Sequence, residues 1–152
     1  MKYIKLIMLF ASLCVTSATC LAQTTERSLL LVAGQETQAG SFTHAELRKI
    51  FLGVTVTRNG VRIRPLLNSS DSLATNVFLQ QVVFMSERDY KRQLLSRVFR
   101  LGDQRPREYD DIALLVEALR NTPGSLTFMW SDQFEQQTGL ESLGVLWVSS
   151  GD

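Results

Sequence analysis

Cysteine and histidine are nearly absent from this 152-residue sequence, which has two cysteines and one histidine. Both cysteines, Cys14 and Cys20, stand near the amino terminus, so the rest of the chain has no thiol for a disulfide or a zinc site. The one histidine, His44, has no partner that the sequence identifies, and we expect no role for it as a base or a ligand. The sequence therefore predicts neither a metal site nor a cofactor.

Motifs of the common enzyme classes are also missing. There is no Gly-x-Ser-x-Gly elbow, no Walker loop and no dinucleotide fingerprint. Asp110 and Asp111 form a neighbouring carboxylate pair, but they stand at a predicted helix start, where negative charge favours the helix dipole without any catalysis. We therefore expect no enzymatic activity and assign no catalytic residue.

A surplus of positive charge is lacking too. Without Lys2 and Lys5, which belong to the amino-terminal segment described next, 14 basic residues face 15 acidic residues. General binders of nucleic acid or anionic membranes depend on excess positive charge, so neither class of partner is expected. Arginine nevertheless outnumbers lysine by 12 to 4. Because the arginines between residues 58 and 107 interleave with acids, we interpret them as a solvated surface with local ion pairs.

The longest apolar run, Leu6–Val15, is too short to cross a bilayer and follows two lysines, as in a secretory signal peptide. Cys20-Leu21-Ala22 has small residues at the minus-three and minus-one positions, which predicts a signal peptide over residues 1–22 and a mature chain that begins at Gln23. Ala18 and Thr19 are alternative cleavage positions. The alternative is a lipoprotein in which Cys20 becomes the acylated first residue. The segment predicts export and a periplasmic location.

Residues 23–152 suit one compact domain with a single hydrophobic core. The clearest helix signal is the stretch Phe42–Gly53. Thr43 is a good N-cap and Glu46 completes a capping box, while Gly53 lies where a left-handed residue ends a helix.

Strand signals alternate with helix signals along the rest of the chain. Strands are predicted over residues 28–32, 61–67, 125–130 and 143–148, with a turn at Asn59-Gly60. Pro65 indicates an edge strand or a strand end, because proline has no N–H to donate to a neighbour. Further helices are predicted to start near Ser70, Glu87 and Asp110. Their expected buried residues are Leu73, Val77, Phe78, Val82 and Met85, then Tyr90, Leu94, Leu95, Val98 and Phe99, then Ile112, Leu115, Val116 and Leu119. This alternation predicts an α/β fold with a mixed sheet flanked by helices.

The order and spacing of several segments resemble one lobe of the type 2 periplasmic solute-binding proteins, in particular the phosphate-binding proteins of ABC importers. The resemblance covers about residues 28–133. It depends on Ile50-Phe51-Leu52-Gly53, on Gly60–Pro65 leading into a serine-rich loop, and on Pro123-Gly124-Ser125-Leu126-Thr127-Phe128, which is similar to the family's Pro-Gly-Ala-Ile-Gly-Tyr. It implies one lobe of that fold, phosphate or another small oxyanion as ligand, and a membrane transporter or sensor protein as partner.

In that family an arginine, followed by Ser-Gly-Thr at a helix start, holds phosphate through charge-assisted hydrogen bonds and backbone N–H groups. In this chain Asn68 stands at the arginine position, and of the Ser-Gly-Thr only the serine is kept, as Ser72. Asp71 opposes an anion. The ligand-binding residues that the resemblance implies, with substitute hydroxyls included, are Asn68, Ser69, Ser70, Ser72 and Thr75.

Two hypotheses on function follow. The first is a periplasmic module that binds phosphate or another small oxyanion for an importer or sensor. The second is an envelope interaction module that keeps the fold without binding a ligand, which the replacement of the family's arginine by Asn68 favours. Arg62 and Arg64 precede the loop, and they either lean toward it or serve only as exposed, solubilising side chains. Whether two copies pair to complete a cleft is left open by the sequence.

Overall fold

The computed structural model describes residues 26–35, 37, 40–102 and 104–149. The predicted signal peptide and its cleavage site lie outside these residues. In chain order, the described elements are β1 (Ser28–Gly34), α1 (His44–Phe51), β2 (Thr57–Arg58), β3 (Val61–Arg62), β4 (Arg64–Asn68), α2 (Ser72–Phe78), a π-helix (Leu79–Val83), α3 (Glu87–Leu101), β5 (Arg107–Tyr109), α4 (Ile112–Asn121), β6 (Ser125–Trp130), α5 (Ser131–Glu135) and β7 (Leu140–Val148).

The main sheet has the strand order β5-β4-β6-β1-β7. β4 runs parallel to both β5 and β6, whereas β1 runs antiparallel to both β6 and β7. The sheet is therefore mixed, and helices pack on both of its faces. Alternate residues of β1 explain the two layers: Leu29 and Leu31 belong to one buried cluster, and Leu30 and Val32 to the other. The predicted α/β class with a mixed, helix-flanked sheet is confirmed.

The strand predicted over residues 61–67 is divided at Ile63. Its first part, β3, pairs only with β2 in a two-stranded hairpin, and Asn59 and Gly60 make the turn with φ of 48° and 78°. The second part, β4, is an interior strand with Pro65 as its second residue. Of the two positions that Pro65 indicated, the edge strand is therefore wrong and the strand end is confirmed. Proline is tolerated there because β5 pairs only with residues 66–68, which leaves no acceptor opposite the missing N–H.

The capped helix has the predicted start. The Thr43 hydroxyl accepts from the Glu46 N–H at 3.3 Å, and the Glu46 carboxylate accepts from the Thr43 N–H at 2.9 Å. Leu47, Ile50 and Phe51 are buried. Gly53 has a φ of 90° just beyond the helix end, as its position predicted.

The helix expected to run from Ser70 past Met85 is shorter and less regular than the sequence indicated. α2 starts after an Asp71 N-cap and ends at Phe78, where a π-helix follows and stops at Phe84 in a left-handed conformation. Leu73, predicted to be buried, is 55% exposed. The wider π turn brings Leu79, Val82 and Val83 all into the core.

Two of the residues predicted to be buried on α3 are exposed, Leu95 at 43% and Phe99 at 84%. Only the first half of the helix reaches the core, through Tyr90 and Leu94, so the apolar stripe extends beyond the surface that covers it. On α4, in contrast, Leu115, Val116 and Leu119 are buried as predicted.

Three phenylalanines from three elements form the centre of the larger cluster. The rings of Phe78 and Phe128 stack with centroids 4.0 Å apart, and Phe51 meets Phe78 edge-on at 4.6 Å. This contact joins α1 and α2 to β6 beneath the loop that follows β4. No helix of the described chain is long and apolar enough to cross a membrane.

Candidate functional site

The loop after β4 is organised around a buried asparagine. Asn68 is fully buried, and its amide nitrogen donates to the Phe128 carbonyl at 3.0 Å. Its side-chain oxygen accepts from the Ser70 N–H at 3.1 Å and from the Ser70 hydroxyl at 2.6 Å. All the polar atoms of this side chain thus have partners within the fold, which holds the loop against β6.

Asp71 takes the N–H groups that an anion at the helix start would need. Its carboxylate accepts from the N–H of Leu73 at 2.9 Å and of Ala74 at 3.0 Å. Its other oxygen accepts from the Trp130 indole N–H at 3.0 Å, and the Arg27 guanidinium lies over that ring. The carboxylate therefore already complements the positive end of the α2 dipole.

The other predicted ligand residues lie around this cap. The Thr75 hydroxyl donates to the Asn68 carbonyl at 2.7 Å, and the Ser69 hydroxyl donates to the Tyr109 carbonyl at 3.1 Å. Ser72 is exposed on the first turn of α2. The structure thus brings Asn68, Ser69, Ser70 and Thr75 together through internal hydrogen bonds, and Ser72 stands beside them. Anion binding at this loop stays a prediction.

A second candidate site is a concave surface at the end of β4 away from this loop. β4 has five residues and spans about 13 Å. We call this concave surface the arginine cleft. Its volume is about 420 Å³, and it lies between the end of α1, the β2–β3 hairpin, and the amino ends of β4 and β5. The arginines that line it are Arg62, Arg64, Arg105 and Arg107. Arg62 and Arg64 therefore line this cleft at the end of β4 away from the loop.

Acidic residues are missing from the described lining of the cleft. Strand alternation explains the separation of charge in β5, where Arg107 and Tyr109 face the cleft. Glu108, between them, lies on the other side of the sheet, beside Tyr90 and Lys91 in a smaller cavity of about 120 Å³. Arg107 and Glu108, which are neighbours of opposite charge in the chain, are thereby placed on opposite sides of the sheet.

Three of the four guanidinium groups, those of Arg64, Arg105 and Arg107, make no ion pair or hydrogen bond with any described residue. Arg62 donates to the Thr55 hydroxyl at 3.4 Å. All four side chains are exposed. Their guanidinium groups are consequently free to accept an anion without breaking an existing salt bridge.

At the carboxyl end of α1, which adjoins the cleft, backbone carbonyls already accept hydrogen bonds from the chain itself. The carbonyls of residues 48, 49 and 50 accept from the N–H groups of Leu52, Val54 and Gly53 at 3.0 Å. Because these hydrogen bonds occupy the carbonyls, the arginines are not needed as a cap for the negative end of the helix.

Gly124, in the turn before β6, contacts the backbone of two cleft residues, Arg62 and Arg64. Its φ is 77°, and a Cβ there would overlap the Arg62 carbonyl. Its own carbonyl accepts from the Arg64 N–H at 2.8 Å. The glycine thus lets the backbone of β3 and β4 lie directly against the turn before β6, which places both arginines at the mouth of the cleft.

Two further candidate residues, Asp111 and Tyr90, have structural roles. Asp111 caps α4 by accepting from the N–H groups of Ala113 and Leu114 at 2.7 Å and 3.3 Å. The Tyr90 hydroxyl donates to the Phe51 carbonyl at 2.8 Å, and burial, with a smaller contribution from Glu108, raises the pKa of Tyr90 well above its usual value. Among the described residues, no three metal-ligating side chains lie together.

Comparison of the chain with protein-family models finds no match, and comparison with curated proteins finds none either. The sequence pattern indicated a solvated surface at Arg105 and Arg107, because Asp103 and Glu108 stand near them in the chain. No local signal marks them as site residues, since Arg105 precedes β5 and the pair does not lie on one strand. Only the tertiary structure brings them to the same cleft as Arg62 and Arg64.

Proposed function

We propose that the protein is an exported, single-lobe module similar to the type 2 periplasmic solute-binding proteins, and that it binds phosphate or a similar small oxyanion. It would deliver this ligand to a membrane importer or a sensor. The observation that carries the proposal is the convergence of Arg62, Arg64, Arg105 and Arg107 on one cleft whose described lining contains no acid. Guanidinium groups match the planar, bidentate geometry of oxyanions better than any other side chain.

The arginine cleft is a better anion site than the loop for an electrostatic reason. At the loop, an anion would have to displace the Asp71 carboxylate from the N–H groups of Leu73 and Ala74 and then tolerate its charge. At the cleft, no carboxylate of the described residues pairs with the guanidinium groups, so an anion displaces none of them. Binding there also relieves the mutual repulsion of four neighbouring positive charges.

Titration calorimetry of the mature chain with phosphate and with sulfate tests the proposal at low ionic strength, where screening is weakest. Arg64→Gln and Arg107→Gln each remove one charge-assisted contact, which is worth about 1.5 to 3 kcal/mol. The expected loss of affinity is about one to two decades for each variant.

Two matched variants separate the sites. Arg100→Gln removes an exposed arginine of α3 that does not line the cleft, and it should leave the affinity unchanged. Ser72→Ala removes the exposed hydroxyl of the loop and should also have no effect. If Ser72→Ala abolishes binding while Arg64→Gln does not, the loop predicted from the sequence is the site and the cleft is not.

A second candidate function is the envelope interaction module without a ligand. The internal hydrogen bonds of Asn68, Asp71 and Thr75 favour it, because they complete the loop without any bound anion. The two candidates differ in one measurement, since the interaction module predicts no heat of binding with phosphate or sulfate at millimolar concentration.

A further inference from the structure

The arginine cleft is larger than a bare oxyanion requires, and part of its lining is apolar. Its volume of about 420 Å³ falls within the range of about 300 to 1,000 Å³ that is typical of sites for organic ligands. An inorganic phosphate held by two guanidinium groups would leave much of this space to water. The part of the cleft that inorganic phosphate leaves to water therefore indicates which larger ligand fits.

Apolar side chains form one part of the lining, which we call the floor of the cleft. Half-buried Val54, Pro65 and Pro106 supply its accessible surface. Ile50, Ile63 and Leu66 also line the cleft but are almost fully buried, so they support the floor and add little surface of their own. A strongly hydrated inorganic anion gains nothing from such a floor, whereas a carbon body gains free energy by leaving water.

Flat and polar groups complete the lining. The half-buried Tyr109 ring stands beside Arg107, and both a tyrosine ring and a guanidinium plane stack well on a planar organic group. Thr55, Gln104 and Thr122 add hydrogen-bonding side chains near the rim. These groups suit the body of an organic ligand better than a second inorganic anion, because they carry no charge.

We infer that the ligand of the arginine cleft is an organic phosphate ester. Its phosphoryl group lies among Arg62, Arg64, Arg105 and Arg107, and its carbon body lies on the floor made by Val54, Pro65 and Pro106. This inference rests on the proposed function and narrows its ligand class. A planar ring fits the floor and Tyr109 best, so aryl phosphates and nucleoside monophosphates are the appropriate probes.

The test compares inorganic phosphate, phenyl phosphate and adenosine monophosphate by calorimetry at about pH 8, where all three are mainly dianions. Phenyl phosphate and adenosine monophosphate should each bind at least tenfold more tightly than inorganic phosphate. Their heat-capacity change of binding should also be more negative, because apolar surface is buried. Phenol, which has the ring without the charge, should not bind measurably.

Two variants and one control assign the contributions. Arg64→Gln should weaken all three anions, whereas Val54→Ser should weaken only the two organic ones, and Arg100→Gln should change none. Val54 is chosen because it is apolar, half-buried and not adjacent in the chain to an arginine of the cleft. Thermal unfolding of each variant checks that the fold is intact, and the heat-capacity comparison on the unmodified protein needs no variant. If Val54→Ser weakens inorganic phosphate as much as phenyl phosphate, the floor is not the organic subsite.

The outcomes separate the two proposals. Equal affinity for inorganic phosphate and phenyl phosphate would overturn the organic ligand and leave the proposed oxyanion function intact. Absence of binding for all three anions would overturn both. Binding of phenol as tight as that of phenyl phosphate would show that the arginines do not select the ligand.

Discussion

At the scale of single residues, the position of Asn68 in the structure differs from the ligand-binding position that the resemblance implies. The resemblance places it where a ligand-binding arginine stands in the phosphate-binding proteins. In the fold it is fully buried and joins β4, the following loop and β6. A guanidinium would not fit in this position without displacing the core, so introducing an arginine there does not restore an anion site.

We expect Asn68→Ala to lower the free energy of unfolding by about 1 to 3 kcal/mol, because it leaves the buried Phe128 carbonyl without this partner and also removes the hydrogen bond to the Ser70 N–H. Chemical denaturation of the purified protein measures this change. The matched control is Ser69→Ala. The Ser69 hydroxyl and the Ser69 N–H both donate to the Tyr109 carbonyl, so the carbonyl keeps one partner and the substitution should cost about 1 kcal/mol or less. Similar losses in the two variants would contradict the role of Asn68.

Glu46 gives a pH dependence at the same scale. Hydrogen bonds from the Thr43 N–H, the Thr43 hydroxyl and Arg58 lower the pKa of this carboxyl from 4.5 to about 2. Because the folded pKa is depressed, the stabilisation is complete above about pH 4.5 and is lost as the pH falls toward 2.

Thermal unfolding between pH 5 and pH 2 should therefore show a stability advantage of the native chain over Glu46→Gln that shrinks as the pH falls. Parallel losses of stability in the two proteins across this range would show that the capping box does not hold Glu46 in its ionised form.

At the scale of elements, α4 offers two neighbouring leucines with opposite environments. Leu115 is fully buried against the sheet, whereas Leu114 is 55% exposed. Helical periodicity alone predicted the buried position of Leu115, since Ile112, Leu115, Val116 and Leu119 form one stripe.

Leu115→Asp should destabilise the protein by several kcal/mol or prevent folding, because it buries a carboxylate without a partner. Leu114→Asp should change the unfolding midpoint little, because its side chain stays in water. Circular dichroism during thermal unfolding compares the two. A small effect of Leu115→Asp would mean that α4 does not pack on the sheet through this face.

At the scale of the whole molecule, the predicted signal peptide and its cleavage can be tested directly. Lys2, Lys5, the short apolar run and Ala22 predict secretion with cleavage after Ala22. Mass spectrometry of the periplasmic fraction should find a chain that begins at Gln23 and contains no thiol. Recovery of the protein in the membrane fraction with lipid attached to Cys20 would establish the lipoprotein alternative instead.

The sequence was sufficient wherever a short-range rule decides the structure. The Thr43–Glu46 capping box, the Asn59-Gly60 turn, the buried stripe of α4 and the α/β alternation are all local patterns, and each has its predicted form. It failed where a helix continues beyond the surface that buries it, as at Phe99, or where a strand changes partners, as at Ile63.

Only the tertiary structure decided which charges lie together. In the chain, Arg105 and Arg107 alternate with acids and indicate a neutral, solvated surface. Strand alternation turns Glu108 to the other side of the sheet, and the parallel pairing of β4 with β5 brings Arg107 beside Leu66 and near Arg64. The physical reason is that helix caps and apolar periods act over a few residues, whereas an electrostatic site sums charges from segments about 40 residues apart that only sheet pairing makes neighbours.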